Sequence, residues 1–190
     1  MSGFFAKEKG VSGMKYFTSD LHFGHENVLR LCNRPFSCVE EMDEHLIQEW
    51  NKLVHRNDEV YILGDFSFRA EKPPEYYLDR LKGEKHLIIG NHDKSWMKKV
   101  DLDKYFKSVQ WMTLVNTGKG NATLCHFPVL DSEGKFMIHG HIHAKGELLE
   151  FWQYLKNTEN MLNAGVDVNG YKPVLIDELI ENNIRFKREH

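Results

Sequence analysis

Five short apolar runs in this chain stop in residues that can bind metal or move protons. Lys15-Tyr16-Phe17-Thr18-Ser19 runs into Asp20-Leu21-His22, Val60-Tyr61-Ile62-Leu63 into Gly64-Asp65, and Leu87-Ile88-Ile89 into Gly90-Asn91-His92-Asp93. Ala122-Thr123-Leu124-Cys125 runs into His126, and Phe136-Met137-Ile138 into His139-Gly140-His141-Ile142-His143. A short β-branched run ended by glycine reads as a buried strand stopping at a turn, and buried parallel strands present their chemistry just past their carboxyl ends. The chain carries 11 histidines, and six fall in or beside these turns.

Asp20 and His22 are two residues apart, as are His141 and His143. On an extended backbone that spacing puts both side chains on one side. Each residue alone has an ordinary explanation. Asn91 suits a turn with left-handed backbone, Asp65 could cap a helix, and His126 could be a core histidine satisfied by a carbonyl. Together, two Asp, four His and one Asn form a set of seven nitrogen and oxygen ligands. A closed structural zinc site wants four ligands, usually with cysteine. Seven suit two hard-to-borderline divalent ions, such as manganese, iron, zinc or nickel, sharing a carboxylate. Two ions roughly 3.5–4 Å apart clamp the attacking and leaving oxygens of an in-line displacement at phosphorus. Two dications, less two carboxylates and a bridging hydroxide, leave a positive centre that favours phosphate anions.

The elements that must position these residues follow from the apolar patterning. Strands are expected at Lys15 to Ser19, up to Gly64, up to Gly90, up to His126 and up to His143, with late strands at Met161 to Val168 and Pro173 to Ile176. The spacing predicts a short helix from Glu26 to Cys32 and a long one opened by a Ser37/Glu40 capping box, with Val39, Met42, Leu46, Trp50, Leu53 and Val54 as its apolar stripe. Pro73-Pro74 opens another helix and Gly83 closes it. Val109 to Val115 reads as one strand and Asn116 to Asn121 as a hairpin turn. An amphipathic helix is expected from Glu147 to Asn160, then a last helical turn from Asp177 to Asn182 and a frayed tail. Helices separate the strands early and hairpins dominate late, which argues for a mixed-sheet α/β sandwich.

Composition bounds the rest. With 190 residues, 41% hydrophobic, the chain fits one domain over 14–190 after a lead-in at 1–13. No apolar run approaches the roughly 20 residues of a membrane span, and Lys7-Glu8-Lys9 interrupts the amino terminus where a signal peptide would be apolar. Three cysteines suit reduced thiols and a cytoplasmic location. A net charge of −3 counts against polyanion binding as the main role.

Asp20-x-His22, Gly64-Asp65, Gly90-Asn91-His92-Asp93, His126 and Gly140-His141-x-His143 occur in the order of the calcineurin-like metallophosphoesterase motifs, and the resemblance runs from about Lys15 to Ile180. It implies a four-layer sandwich of two mixed β-sheets flanked by helices. It also implies that Asp20, His22, Asp65 and His143 hold one metal and Asp65, Asn91, His126 and His141 the other, with Asp65 bridging. His92 matches the family histidine that contacts phosphate and assists the leaving oxygen. The expected protein is a two-metal phosphoesterase, loaded with manganese before iron, zinc, nickel or magnesium. It would hydrolyse small phosphodiesters or phosphomonoesters by attack of a metal-bridging hydroxide. A nuclease is the rival enzyme, and a non-catalytic scaffold for a partner protein the rival from another class. Phe66-Ser67-Phe68-Arg69 after Gly64-Asp65 departs from the commonest pattern and leaves the substrate open. Around the ligands, His25, Arg34 and Asn91 are candidate substrate contacts, the arginine because guanidinium matches phosphate in bidentate fashion. Asp93 is expected to orient His92 or cap a helix, Cys125 to face the core, and His139 to support rather than ligate.

Overall fold

The computed structural model describes residues 13–144 and 151–189. Its strands alternate between two destinations. In β1 (Lys15–Thr18), β2 (Glu59–Ile62) and β3 (Glu84–Ile88), Tyr16, Val60, Ile62 and Leu87 pack with Met42, Leu46 and Trp50 of the long helix. Their neighbours Phe17, Tyr61 and Ile88 pack, with Leu63 just past β2, against Ala122, Leu124, Phe136 and Ile138 of the second sheet. A strand covered on both faces needs apolar residues at nearly every position, so these runs look continuous in sequence.

The first sheet has the order β4-β3-β2-β1-β9, with β4 at Phe106–Gln110 and β9 at Val174–Leu175. β1 to β4 are parallel and β9 runs against β1. The second sheet has the order β5-β6-β7-β8, with strands at Met112–Asn116, Asn121–Cys125, Phe136–His139 and Met161–Asn163. Helices α1 (Glu26–Leu31), α2 (Val39–Leu53), α3 (Pro74–Leu78) and α4 (Leu102–Tyr105) follow the strands of the first sheet. Beyond the second sheet, α5 (Trp152–Leu155) and Phe186 of α6 (Ile176–Glu189) pack with Cys125, Met137 and Met161. This is the expected sandwich of two mixed sheets flanked by helices.

The details differ in five places. Val109 to Val115 is two strands in different sheets, β4 and β5, broken at exposed Trp111; Val109 packs on one core and Val115 on the other, while Met112 and Leu114 between them are exposed. β6 and β7 are parallel, pairing Ala122 with Phe136, rather than a hairpin, so both deliver their carboxyl ends to one edge. At α2, Glu41 rather than Glu40 reaches back to Ser37, accepting from its N–H at 2.7 Å and from its hydroxyl at 2.5 Å. Of the helix expected from Glu147 to Asn160, positions 147–150 lie outside the described residues, and α5 is the helical part that follows. The last helix runs to Glu189 because Phe186 packs on Trp152 at 4.5 Å and Lys187 Nζ donates to Thr158 O at 2.7 Å and Met161 O at 2.6 Å.

Candidate metal centre

The loops leaving β1 and β2 are zipped together. Asp20 N–H donates to Gly64 O at 3.0 Å, His22 N–H to Asp65 O at 3.0 Å, and Phe23 N–H to Phe66 O at 2.9 Å. The second sheet closes on the same edge, with Val166 N–H on Ser19 O at 3.1 Å and Gly140 N–H on His126 O at 3.0 Å. Two buried carboxylates hold the turns. Asp93 accepts from the backbone N–H groups of Asp65 (2.9 Å), Phe66 (2.9 Å) and Gly90 (2.7 Å), and from Trp96 Nε1 (3.0 Å). It therefore clamps two loops together, where the sequence suggested a partner for the His92 ring or a cap. Asp20 accepts from His141 N–H at 3.0 Å and ties the two sheets across the site.

The packing leaves no room for side chains beside the carboxylates. A Cβ on Gly90 would sit 2.3 Å from Asp65 Oδ1, and one on Gly140 would sit 1.9 Å from Ser19 Oγ. The backbone is also bent. Asp20 (φ 55°), His22 (φ 52°), Asp65 (φ 54°) and His141 (φ 66°) are four of the seven described non-glycine residues with positive φ. Each costs on the order of 1–2 kcal/mol, and such strain collects where the surroundings impose it for function. This corrects the extended-backbone argument for Asp20-x-His22 and His141-x-His143: left-handed turns, not strand alternation, aim these side chains.

Asp20, His22 and His143 offer ligand atoms within 4.8 Å of one another, and so do Asp20, Asp65 and His126. Asp65 Oδ2 lies 3.7 Å from His22 Nε2 and 3.6 Å from His126 Nε2. Atoms sharing an ion at about 2.0–2.2 Å sit at such separations. His126 Nδ1 donates to Leu63 O at 2.7 Å, because a carbonyl can only accept. Its Nε2 is then a lone pair, and it faces Asn91 Oδ1 at 2.9 Å. With the amide oxygen so placed, two acceptors confront each other. Both ring nitrogens of His22 are buried with no hydrogen-bond partner. Lone pairs turned on lone pairs in a buried pocket are what a cation resolves, so the donor set fits metal. His141 stands beside this group, its ring 5.2 Å from His126.

Electrostatics agree. Burial, with His143 and Arg34 nearby, holds His22 well below the ordinary imidazole range, and burial with His126 alongside lowers His141 to about 4; both rings stay neutral, as ligands must be. Burial, and after it the Asp20 charge, push Asp65 up to about 7, as expected for a buried carboxylate with a second one beside it. At His143, burial opposes the charge, but the bond from Nδ1 to Asp167 Oδ2 at 2.6 Å and further contacts lift it to about 11. A carboxylate behind Nδ1 is the usual arrangement for a metal-ligating histidine, but a ring so raised keeps a proton that an ion would have to displace.

Asp167 escaped the sequence reading. It lies in the turn over 166–170 that follows β8, where the expected strand from Met161 to Val168 ends early, at Asn163; Gly165 and Asn169-Gly170 were the signals of that turn. Its partner also changes an expectation. Arg34 is buried, with Nε on Asp167 Oδ1 at 2.8 Å, one terminal nitrogen on Leu21 O at 3.0 Å and the other on Asp20 O at 2.7 Å. All three nitrogens donate to protein, so Arg34 braces the centre from behind and does not face a substrate. His25 remains beside the centre, its ring 5.3 Å from His22 and 6.5 Å from His92. His92 is half-buried, its Nε2 3.8 Å from Asp65 Oδ2 and its ring packed 3.9 Å from that of Phe68. Its backbone N–H donates to Asp65 Oδ1 at 2.9 Å. Cys125 is buried in the core and His139 Nδ1 bonds Gly140 O at 2.8 Å, both as expected. Cys32 also comes within reach of His143 and Asp167.

Comparison with known proteins points the same way. Residues 16–182 match the family model described as calcineurin-like phosphoesterase. The chain is 36% identical over 168 residues to an uncharacterized protein, MJ1445, of Methanocaldococcus jannaschii, covering 87% of this chain and 89% of that one. It is 32% identical to the Gene 66 protein of Mycobacterium phage L5, covering 68% and 77%. Among solved structures it resembles AQ665, a protein of unknown function from Aquifex aeolicus, with a TM-score of 0.65 at 28% identity, covering 85% of this chain and 95% of that one.

Proposed function

The chain belongs to the calcineurin-like phosphoesterase family, and on that premise we propose that it hydrolyses small phosphodiesters or phosphomonoesters at a two-metal centre. The observation that carries this reading is the confrontation of His126 Nε2 with Asn91 Oδ1 at 2.9 Å, beside the unmatched His22 and Asp65 Oδ2. Asp20, His22, Asp65 and His143 would hold one ion, and Asp65, Asn91, His126 and His141 the other. Asp65 Oδ2, set between His22 and His126, suits the shared position. Bound there, two divalent ions supply Lewis-acid stabilisation of phosphoryl oxygens and a water acidic enough to attack at neutral pH. Manganese is taken first, with iron, zinc, nickel or magnesium as the alternatives that nitrogen and oxygen ligands accept.

The chain's own groups do the rest. The Asp65 and Asp93 clamps fix the His92 backbone, and Phe68 fixes its ring. His92 then holds Nε2 beside the centre, 3.8 Å from Asp65 Oδ2, from where it would give a proton to the departing alkoxide. Burial lowers its affinity for that proton, and an arriving phosphate anion raises it again. Asp167 and Arg34 hold the His143 ring and the Asp20 backbone, and His25 lies where it can touch the ester.

The test is to strip the protein with chelator, reload it with manganese, and follow a chromogenic phosphodiester, its monoester and a short oligonucleotide. Turnover of a small ester restored by manganese supports the reading, and the faster ester assigns the class. Preferential cleavage of the oligonucleotide would make it a nuclease. Two bound metals with no turnover of any of the three would overturn the reading.

A further inference from the structure

The four candidate ligand rings are not held alike. His126 has no exposed surface, and its Nδ1 is fixed on Leu63 O at 2.7 Å. His143 Nδ1 is fixed on Asp167 Oδ2 at 2.6 Å, with Arg34 Nε on the other oxygen of that carboxylate at 2.8 Å. His22 is buried and enclosed by the rings of His25, His92 and His143, at 5.3, 5.4 and 5.2 Å. His141 differs from all three. Its backbone N–H donates to Asp20 at 3.0 Å, but its ring is partly exposed. Among the described residues that ring makes no hydrogen bond, and it packs on two others, His126 at 5.2 Å and Phe127 at 4.8 Å.

Phe127 is 38% exposed and lies outside the apolar clusters that hold the sheets together. Core packing therefore does not explain its place. Pro128 follows it in the chain and confines its backbone to extended geometry. Its ring meets both neighbouring histidines edge-on, His126 at 4.9 Å and 80° and His141 at 4.8 Å and 66°. A contact of this kind favours one ring orientation by about two- to tenfold. His126 gains little from it, being already fixed by burial and by Leu63. His141 has no other anchor of comparable strength.

We propose that Phe127 is a positioning residue for His141, keeping the ring turned to the His126 side of the centre and so setting the affinity of the ion held by Asp65, Asn91, His126 and His141. The inference rests on the two-metal reading given above. It makes the two ion positions unequal in a way that ligand types alone do not show. The partly exposed histidine of one position is gripped by a carboxylate and an arginine, whereas that of the other leans on the edge of a phenyl ring.

Manganese titration of the chelator-stripped protein, with free ion read by electron paramagnetic resonance, tests this without a substrate. The parent should take up two ions. Phe127→Leu keeps an apolar side chain but not the ring; it should bind the tighter ion as the parent does and the weaker one about fivefold less well. Phe127→Tyr keeps the ring and should match the parent. In His141→Asn, which retains a shorter ligand, adding Phe127→Leu should weaken the second ion no further, because the ring it orients is gone. Three results would each overturn the inference and leave the two-metal reading standing: an unchanged second affinity in Phe127→Leu, a loss shared equally by both ions, or the same loss with and without His141. A parent that takes up fewer than two ions overturns both.

Discussion

Asn163 has no exposed surface and His22 has 2%, and both belong to the framework around the loop that carries His143. The asparagine is fully answered. Its amide donates to Ile142 O at 2.6 Å and accepts the Gly165 N–H at 2.7 Å, while its backbone N–H donates to Asn183 Oδ1 at 2.7 Å. Asn169 donates to Asn163 O and Gly165 O at 2.9 Å each, and Asn182 in turn donates to Asn169 at 3.2 Å. Donors meet acceptors throughout, and the cluster pins α6 to β8 and to the carbonyl between His141 and His143. His22, by contrast, has neither ring nitrogen matched, with Asp65 Oδ2 standing 3.7 Å from its Nε2. Burial alone does not tell a structural polar group from a functional one. The balance of donors and acceptors does, because an unsatisfied buried group costs about 1–3 kcal/mol and persists only where something else provides the partner.

The largest effect should come from Asp65→Asn. On the proposed reading it removes the carboxylate shared by both ions, so metal content measured by elemental analysis should fall at both and turnover should drop to background. The metal-free variant should melt no lower than the metal-free parent, since Asp65 and Asp20 repel each other there. A marked loss of stability in the metal-free state would mean that Asp65 is an ordinary structural carboxylate, and the contrast with Asn163 would collapse. Next comes His92→Ala, expected to lower turnover of an ester with a poor leaving group by about 10²–10⁴-fold while leaving metal content near the parent value. Unchanged turnover would remove the proton from His92.

Asp167→Asn lies between the two regions. It keeps the shape and loses the charge behind His143 Nδ1, so metal affinity should weaken by about 10–100-fold, read by competition with a fluorescent chelator. An unchanged affinity would place Asp167 with the purely structural groups. In the answered cluster the readouts should exchange. Asn163→Ala leaves partners bare, and a loss of about 1–3 kcal/mol of stability is expected by urea unfolding, with metal affinity changed less than in Asp167→Asn. If Asn163→Ala loses metal first, the cluster acts on the centre rather than on the fold.

How much of this was readable beforehand follows the same division. Asp20, His22, Asp65, Asn91, His126, His141 and His143 stood out because each ends or follows an apolar run at a turn. Asp167 and Asn163 did not, because Met161 to Val168 reads as one apolar strand although Gly165 and Asn169-Gly170 mark the turn that cuts it short. Arg34 was visible as a guanidinium but not by role, since the fork that fits phosphate fits the Asp167 carboxylate equally well. The sandwich itself was legible from the helices that separate the early strands and from the family resemblance, whereas the parallel pairing of β6 with β7 was not, because strand sequences carry little record of partner direction. Nor did any local pattern foretell the left-handed backbone at Asp20, His22, Asp65 and His141, which the packed loops impose.

The smallest expected effect concerns a charged group at the edge of the answered region. Lys187 donates from α6 to Thr158 O and Met161 O, and burial pulls its pKa down to about 8. Unfolded, the same lysine titrates near 10.4. Between those values the unfolded chain binds more protons than the folded one, so stability must rise with pH across that window. Its contribution is fully present only above the unfolded value and is lost as pH falls through about 8. Relative to Lys187→Met, which lacks the group, the parent should gain in urea midpoint between pH 7.5 and pH 10, modestly because the side chain is partly solvated. A difference that stays flat over this range would mean that the two carbonyls offset the burial of the charge completely, and that even the border of this region is as fully matched as its asparagine centre.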